Sequence, residues 1–247
     1  MEYNNQNNYN TNPSYNYDNE TIAPQQAQNL KTLLCEEVIL KSFLFMIGAL
    51  LITACAALTI SPYIAIELLS GNNFYILLIA EIGIVLASNW ALRKNNAILA
   101  GILFTAYSYL TGVTLSIIFM VYTTASIVAI FLTTAAVFGI MAVYGLVTKT
   151  DLSSIGNICL MGLIGIIIIS FVNLFILQST MLDTAISAIG VLVFVGLTAY
   201  DTQKIKKNVA ASNSQNVTSL ALYGAFELYL DFINLFLKLL SLFGKRK

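Results

Sequence analysis

From residue 39 onward the chain is a succession of long apolar runs separated by short polar breaks. That feature restricts the fold more than any other. About 20 apolar residues, each rising 1.5 Å along a helix, are needed to cross ~30 Å of hydrocarbon. Seven stretches meet that length: 42–60, 74–92, 97–121, 124–147, 155–177, 181–203 and about 220–243. The breaks carry their own chemistry, among them Ser61-Pro62, Gly71-Asn72-Asn73, Arg93-Lys94-Asn95-Asn96 and Thr148-Lys149-Thr150-Asp151. Inside a bilayer every backbone polar group must be satisfied within the protein, which leaves helices or a closed barrel. Barrel strands alternate apolar and polar residues over ~10 positions, and these runs do not. An all-α membrane protein with seven transmembrane helices is therefore expected.

Composition agrees. Hydrophobic residues make up 58% of the chain and charged ones 10%, with a mean hydropathy of +0.80, whereas a soluble domain carries about a quarter charged residues. Twelve basic residues balance twelve acidic ones, so no basic face for nucleic acid is expected. With no histidine in the chain, Ser-His-Asp and Cys-His catalysis, histidine zinc motifs and histidine-ligated haem are excluded. Cys35, Cys55 and Cys159 are far apart, and the latter two sit in apolar runs. Neither a disulfide framework nor a fixed metal site is expected. No enzyme and no cofactor are read from this composition.

Residues 1–30 differ in kind. They hold nine Asn, four Gln and four Tyr, with three acids and no Lys or Arg. Such a tract buries too little apolar surface to offset its ordering entropy. The expected organisation is a disordered tail, residues 1–30, and a transmembrane domain, residues 31–247. The tail lacks the basic n-region and early apolar core of a signal peptide.

Orientation follows from lysines and arginines in short loops. Lys31 and Lys41 precede the first span, Arg93 and Lys94 follow the second, Lys149 the fourth, and Lys204, Lys206 and Lys207 the sixth, whereas loops 61–73 and 178–182 have none. This alternation places the amino terminus in the cytoplasm of a multi-pass cell-membrane protein. Seven crossings then leave Lys245-Arg246-Lys247 outside, against the rule. The last helix either crosses regardless or dips in and returns; residues 224–243 are long enough and free of proline, which favours crossing.

Ionisable groups within apolar runs cost roughly 2.5–3.5 kcal/mol each at mid-bilayer and are functional hypotheses by default. Glu81, Asp201, Glu227 and Asp231 qualify. Glu227 and Asp231 are four apart and share a helix face. Lys238 is seven beyond Asp231 on that face and reads as a snorkelling side chain near the helix end. Glu227 reads equally as a wet residue at the cytoplasmic mouth or as a functional one. If the sixth helix ends at Lys206 and the last begins at Gly224, Asp201 and Asp231 lie about 7–8 and 10–11 Å deep, so they can meet. A last helix starting at Ser219 would strain the pairing.

The segments LTAYDTQKIKK (197–207) and LYGAFELYLDFINLFLKLLSLFG (222–244) closely resemble the carboxyl-terminal signature of the Bax inhibitor-1 family, which includes bacterial calcium-leak homologues. GVTLSIIF (112–119) and FVNLF (171–175) support the resemblance, which spans about residues 40–244. Ile117 stands where the family usually has a proline. The resemblance implies seven helices with the last packed centrally, and a pH-sensing aspartate pair at Asp201 and Asp231. It places Glu227 where some relatives carry a second acid. Glu81 and Arg93 lie near a conducting-path glutamate and a latch arginine.

Two carboxylates within hydrogen-bond reach cannot both ionise cheaply and share a proton. That proton would tie the sixth helix to the last, and pH would set the population of an open path. Acidic oxygens suit a hard cation such as calcium, expected as a permeant ion and only transiently near the pair. Glu227 is expected outside the pair, setting the size of the flux. Tyr200-Asp201 also fits half of an intramembrane aspartyl protease, but Leu228-Tyr229-Leu230 before Asp231 lacks the GxGD glycines. A proton-coupled transporter would need inverted repeats or broken helices. The main alternative is a non-conducting regulator that binds other membrane proteins in stress, cell-death or quality control.

Overall fold

A computed structural model describes residues 24–211 and 216–247. The chain forms α1 (Pro24–Thr59), α2 (Pro62–Leu69), α3 (Gly71–Arg93), α4 (Ala97–Leu115), α5 (Ile118–Val121), α6 (Thr124–Val147), α7 (Ser153–Val172), α8 (Thr180–Ala211) and α9 (Val217–Phe243). A single π-helical turn, Asn173–Leu177, continues α7. Seven helical stretches among the described residues are long and apolar enough to cross a membrane. They match the seven expected runs, with α4 and α5 together making the third.

Polar residues at the breaks set the helix starts. Pro62 occupies the first turn of α2, where its missing N–H costs nothing. Asn96 caps α4 by accepting from Leu99 N at 3.0 Å, and Asn216 caps α9 by accepting from Ser219 N at 3.1 Å. Between α4 and α5 the helix breaks at Ser116-Ile117 without the family proline. There the Ser116 hydroxyl donates to Val113 O at 2.6 Å and competes with the helical ladder.

Three boundaries differ from expectation. α1 begins at Pro24, so Pro24–Leu30 is helical; residues 1–23 of the expected tail lie outside the described residues. α8 runs past Lys206 to Ala211, and α9 starts at Val217, seven residues before Gly224. Both shifts arise because these helices project beyond the apolar runs, α8 through the turn bearing Lys206, Lys207 and Asn208 and α9 through a turn capped by Asn216, which hydropathy does not register.

The last helix occupies the centre. It packs on α1, α8, α6 and α4, and 67% of its most apolar window is buried, against 11–39% for the other six spans. α3 and α7 line the periphery, presenting Ile79, Leu86, Ile158 and Ile164 outward, as lipid-facing helices should. Helix contacts are close where a side chain is missing. A Cβ on Gly112 would lie 2.5 Å from Thr53 O, so α4 meets α1 backbone to backbone.

The ends of α9 answer the question left by the tail lysines. At its start Asn216 Nδ2 lies 3.4 Å from Asn95 O, in the α3–α4 loop. At its end Thr123 N donates to Lys245 O and Lys247 N to Val121 O, both at 3.0 Å, forming an antiparallel bridge between Tyr122 and Arg246. The loops at 94–96 and 121–124 bracket the single span 97–121, so they stand on opposite faces of the bundle. α9 therefore crosses fully and does not re-enter, and its cationic tail is pinned to the second of those loops.

Candidate functional site

The sequence LTAYDTQKIKK folds as one continuous stretch of α8. Thr198 and Thr202 are buried and spend their hydroxyls on carbonyls one turn back, Phe194 O at 2.8 Å and Thr198 O at 2.7 Å. Beyond them α8 projects from the apolar run and straps the α6–α7 loop. Gln203 accepts from Leu152 N (3.0 Å) and donates to Thr150 O (2.8 Å), while Lys207 Nζ lies 2.5 Å from Asp151 Oδ1. Asp151 lies outside the spans and is exposed. Hydrogen bonds from Lys207 and Ser153 hold its carboxyl well below the usual carboxylate range.

Asp201 on α8 and Asp231 on α9 lie on two helices that pack along one seam. Asp231 is 4% exposed. With helix ends at Ala211 and Val217, Asp201 is ten residues deep and Asp231 fourteen, about 15 and 21 Å along their axes. Both depths exceed the expected ones because both helices are longer than expected.

Glu227 is not separate from this pair. Lys204 Nζ lies 2.6 Å from Glu227 Oε1 and 3.7 Å from Asp201 Oδ1. Tyr223 OH donates to the same Glu227 Oε1 at 2.5 Å, and the Lys204 ammonium sits 5.5 Å from the Tyr223 ring centroid. One lysine thus bridges carboxylates of two helices. From sequence alone Lys204 reads only as a loop cation, because the sixth apolar run ends at residue 203. Two carboxylate oxygens, Glu227 Oε2 and Asp231 Oδ2, are buried without a hydrogen-bond partner among the described residues. Such oxygens are costly unless a proton, water or cation meets them.

Glu81 stands apart from these acids. On α3 and half-buried, it accepts from Thr114 Oγ1 on α4 at 2.7 Å. Tyr229 is fully buried on α9, its hydroxyl 2.7 Å from Thr53 Oγ1, which in turn donates to Ser108 O at 2.9 Å. This α1–α4–α9 polar cluster was not read from the sequence. Tyr229 and Thr53 are 176 positions apart, and only the central placement of α9 brings them together. Arg93 is exposed at the end of α3 and lines a cavity with Ser219 and Tyr223; it makes no ion pair among the described residues.

Comparison with known proteins bears on most of the chain. The family model described as inhibitor of apoptosis-promoting Bax1 matches residues 35–247. The chain is similar to the inner membrane protein YbhL of Escherichia coli, 46% identical over 206 residues, which covers 81% of this chain and 88% of that protein. It is similar to the uncharacterized protein RP147 of Rickettsia prowazekii, 44% identical over 211 residues, 84% of this chain and 89% of the relative. An uncharacterized protein of Borreliella burgdorferi is 43% identical over 220 residues, 87% and 94% of the two chains.

Proposed function

The chain belongs to the Bax inhibitor-1 family, and from that premise we propose that it is a pH-sensitive cation leak, with calcium as the permeant ion and the Asp201–Asp231 pair as its control. The observation that carries this reading is the pair of buried, unpartnered carboxylate oxygens on α9, Glu227 Oε2 and Asp231 Oδ2, set against Asp201 and Lys204 on α8. Hard carboxylate oxygens suit a calcium ion in transit. When Asp201 and Asp231 share a proton, α8 and α9 are tied; when they do not, the like charges repel and the seam is free to part. Lys204 sits at the inner end of that seam and offsets part of the acidic charge. Glu81, with the Tyr229–Thr53 cluster, supplies a second polar stretch against α9 for an ion passing along the central helix.

The loop lysines support a cytoplasmic amino terminus, and the relative named as an inner membrane protein supports a place in the cell membrane. A cysteine at residue 66 should then be labelled from outside intact cells and one at residue 207 only from inside. Labelling of residue 66 only from inside would reverse the orientation.

Calcium entry into proteoliposomes containing only this protein, over about pH 5–8 where a paired buried carboxyl can titrate, tests the switch. Asp231→Asn and Asp201→Asn should each abolish the pH dependence of flux, and the double variant should be little worse than either, because the groups act as one unit. Glu227→Gln should move the pH profile as well as the size of the flux, because it frees Lys204 to serve Asp201 alone. The alternative reading is a non-conducting regulator of other membrane proteins, in line with a family description that names inhibition of a cell-death protein and no transport. A folded wild-type protein that passes no calcium at any pH would select it.

A further inference from the structure

At the face of the bundle that carries the carboxyl terminus, a cavity of about 630 Å³ opens between the π-helical turn, α8 and α9. Three charged side chains line it: Asp183 at the start of α8, Lys238 on α9, and Arg246 in the pinned tail. Neither Lys238 nor Arg246 makes a side-chain hydrogen bond or ion pair among the described residues. Asp183, whose Oδ1 accepts from the buried Asn173 Nδ2 at 2.5 Å, faces Lys238 across the cavity as its one anionic neighbour there among the described residues and offsets one of the two cations. The lining is therefore net positive and rich in donors.

Lys238 does not behave as a snorkelling lysine. It lies five residues before the helix end at Phe243, about 7–8 Å inward. Its methylenes pack over Gly190 of α8, where a Cβ would stand 3.0 Å from Lys238 Cδ. That contact keeps the stem against α8 and leaves the ammonium half-buried in the cavity. A cation this far inside a span ordinarily pairs with an anion. Ser187 Oγ donates to Ser241 Oγ at 3.0 Å, which leaves the Ser241 hydroxyl hydrogen available. Two cations, a hydroxyl and the apolar rim at Leu174 and Leu237 together form an acceptor for a tetrahedral oxyanion at headgroup depth.

We propose that this cavity binds a phosphate group, held by Lys238 and Arg246 with Ser241 as a neutral donor, at the carboxyl-terminal face of the bundle. The phosphate is that of an anionic phospholipid headgroup or the free ion. The lipid-exposed Leu174, Phe175 and Ile176 beside the cavity give acyl chains an apolar surface to follow.

Thermal melting of the detergent-solubilised full chain, titrated with three probes, tests this. The probes are dihexanoyl phosphatidylglycerol, dihexanoylglycerol, which lacks the phosphate, and inorganic phosphate. A ligand that binds the folded state raises the melting temperature with its concentration. Phosphatidylglycerol should do so and dihexanoylglycerol should not. Stabilisation by phosphatidylglycerol alone assigns the site to a headgroup, and equal stabilisation by inorganic phosphate assigns it to the free ion; both support the site. Lys238→Gln and Arg246→Gln should each weaken binding at least tenfold, the loss expected for a charge-assisted hydrogen bond. Arg246 lies in the exposed tail, so its variant is informative even if Lys238→Gln does not fold. Lys245→Gln, a neighbouring tail cation outside the cavity, should leave binding unchanged. Equal stabilisation by dihexanoylglycerol, no stabilisation by any probe, or equal losses in the Lys245 and Arg246 variants would overturn the proposal.

Discussion

Replacing Lys204 with methionine removes one cation from between two carboxylates while keeping the length of the side chain. At 2.6 Å from Glu227 Oε1, the Coulomb attraction is about 6 kcal/mol for an effective dielectric near 20, most of it spent on desolvating both groups. What decides the cost is the acid left behind. Stranding one member of a fully buried pair costs about 3–5 kcal/mol. Here the Lys204 and Glu227 side chains are still 30% and 20% exposed, and Tyr223 still donates to Glu227, so about 2 kcal/mol is expected. For a chain of this size that lowers the melting temperature by about 4–8 °C. The diagnostic is the double variant. Lys204→Met with Glu227→Gln removes both charges, so it should recover most of the loss, with a coupling of about 1–2 kcal/mol within the range seen for contacting residues. The assay is thermal melting of the four proteins in one detergent at neutral pH. Additive losses in the double variant would refute the claim that Lys204 serves as counter-ion to Glu227.

Gly112→Val should destabilise the protein by several kcal/mol, read as poor folded yield or a much lower melting temperature, because its Cβ would meet Thr53 O at 2.5 Å and Ala56 Cβ at 2.6 Å; Gly83→Val, with open space around it, is the control and should be nearly silent. Asp151→Asn should lower the melting temperature slightly at neutral pH. Because the folded carboxyl is held below its ordinary value of 3.8, its stabilisation is present above that value and lost as pH falls below it, so the melting difference between wild type and variant should close in acid. A difference that persists unchanged at pH well below 3.8 would show that the bonds from Lys207 and Ser153 do not depend on the charge.

The spans were legible because the length and continuity of an apolar run are properties of one segment. Asp201 and Asp231 were legible for the same reason: an acid amid leucines and phenylalanines stands out without knowledge of its neighbours. Lys204, Tyr223 and the Thr53–Tyr229 bond were not. Each is an ordinary residue made significant by a helix from elsewhere in the chain, and their faces are fixed only once α9 sits among α1, α4 and α8. Helix ends were misread where α1, α8 and α9 continue as polar turns, since hydropathy reports where lipid ends and not where the hydrogen-bond ladder does. The break at Ser116-Ile117 shows the converse: it forms without the proline, at a serine whose hydroxyl bonds back to Val113 O.

The central position of α9 bears on how the protein is made. The ribosome delivers this helix after the six spans that precede it, yet it is the one around which α1, α4, α6 and α8 are arranged. Until residues 217–243 have emerged, six inserted spans lack the surface that buries Phe104, Phe138 and the Thr53 hydroxyl. The nascent chain therefore waits in the membrane as an open shell, and its core closes only once α9 has joined it. Locking follows when Lys245–Lys247 pair with residues 121–123. Truncated translation products should for this reason be recognisably incomplete to a membrane protease, even though every earlier span has been inserted.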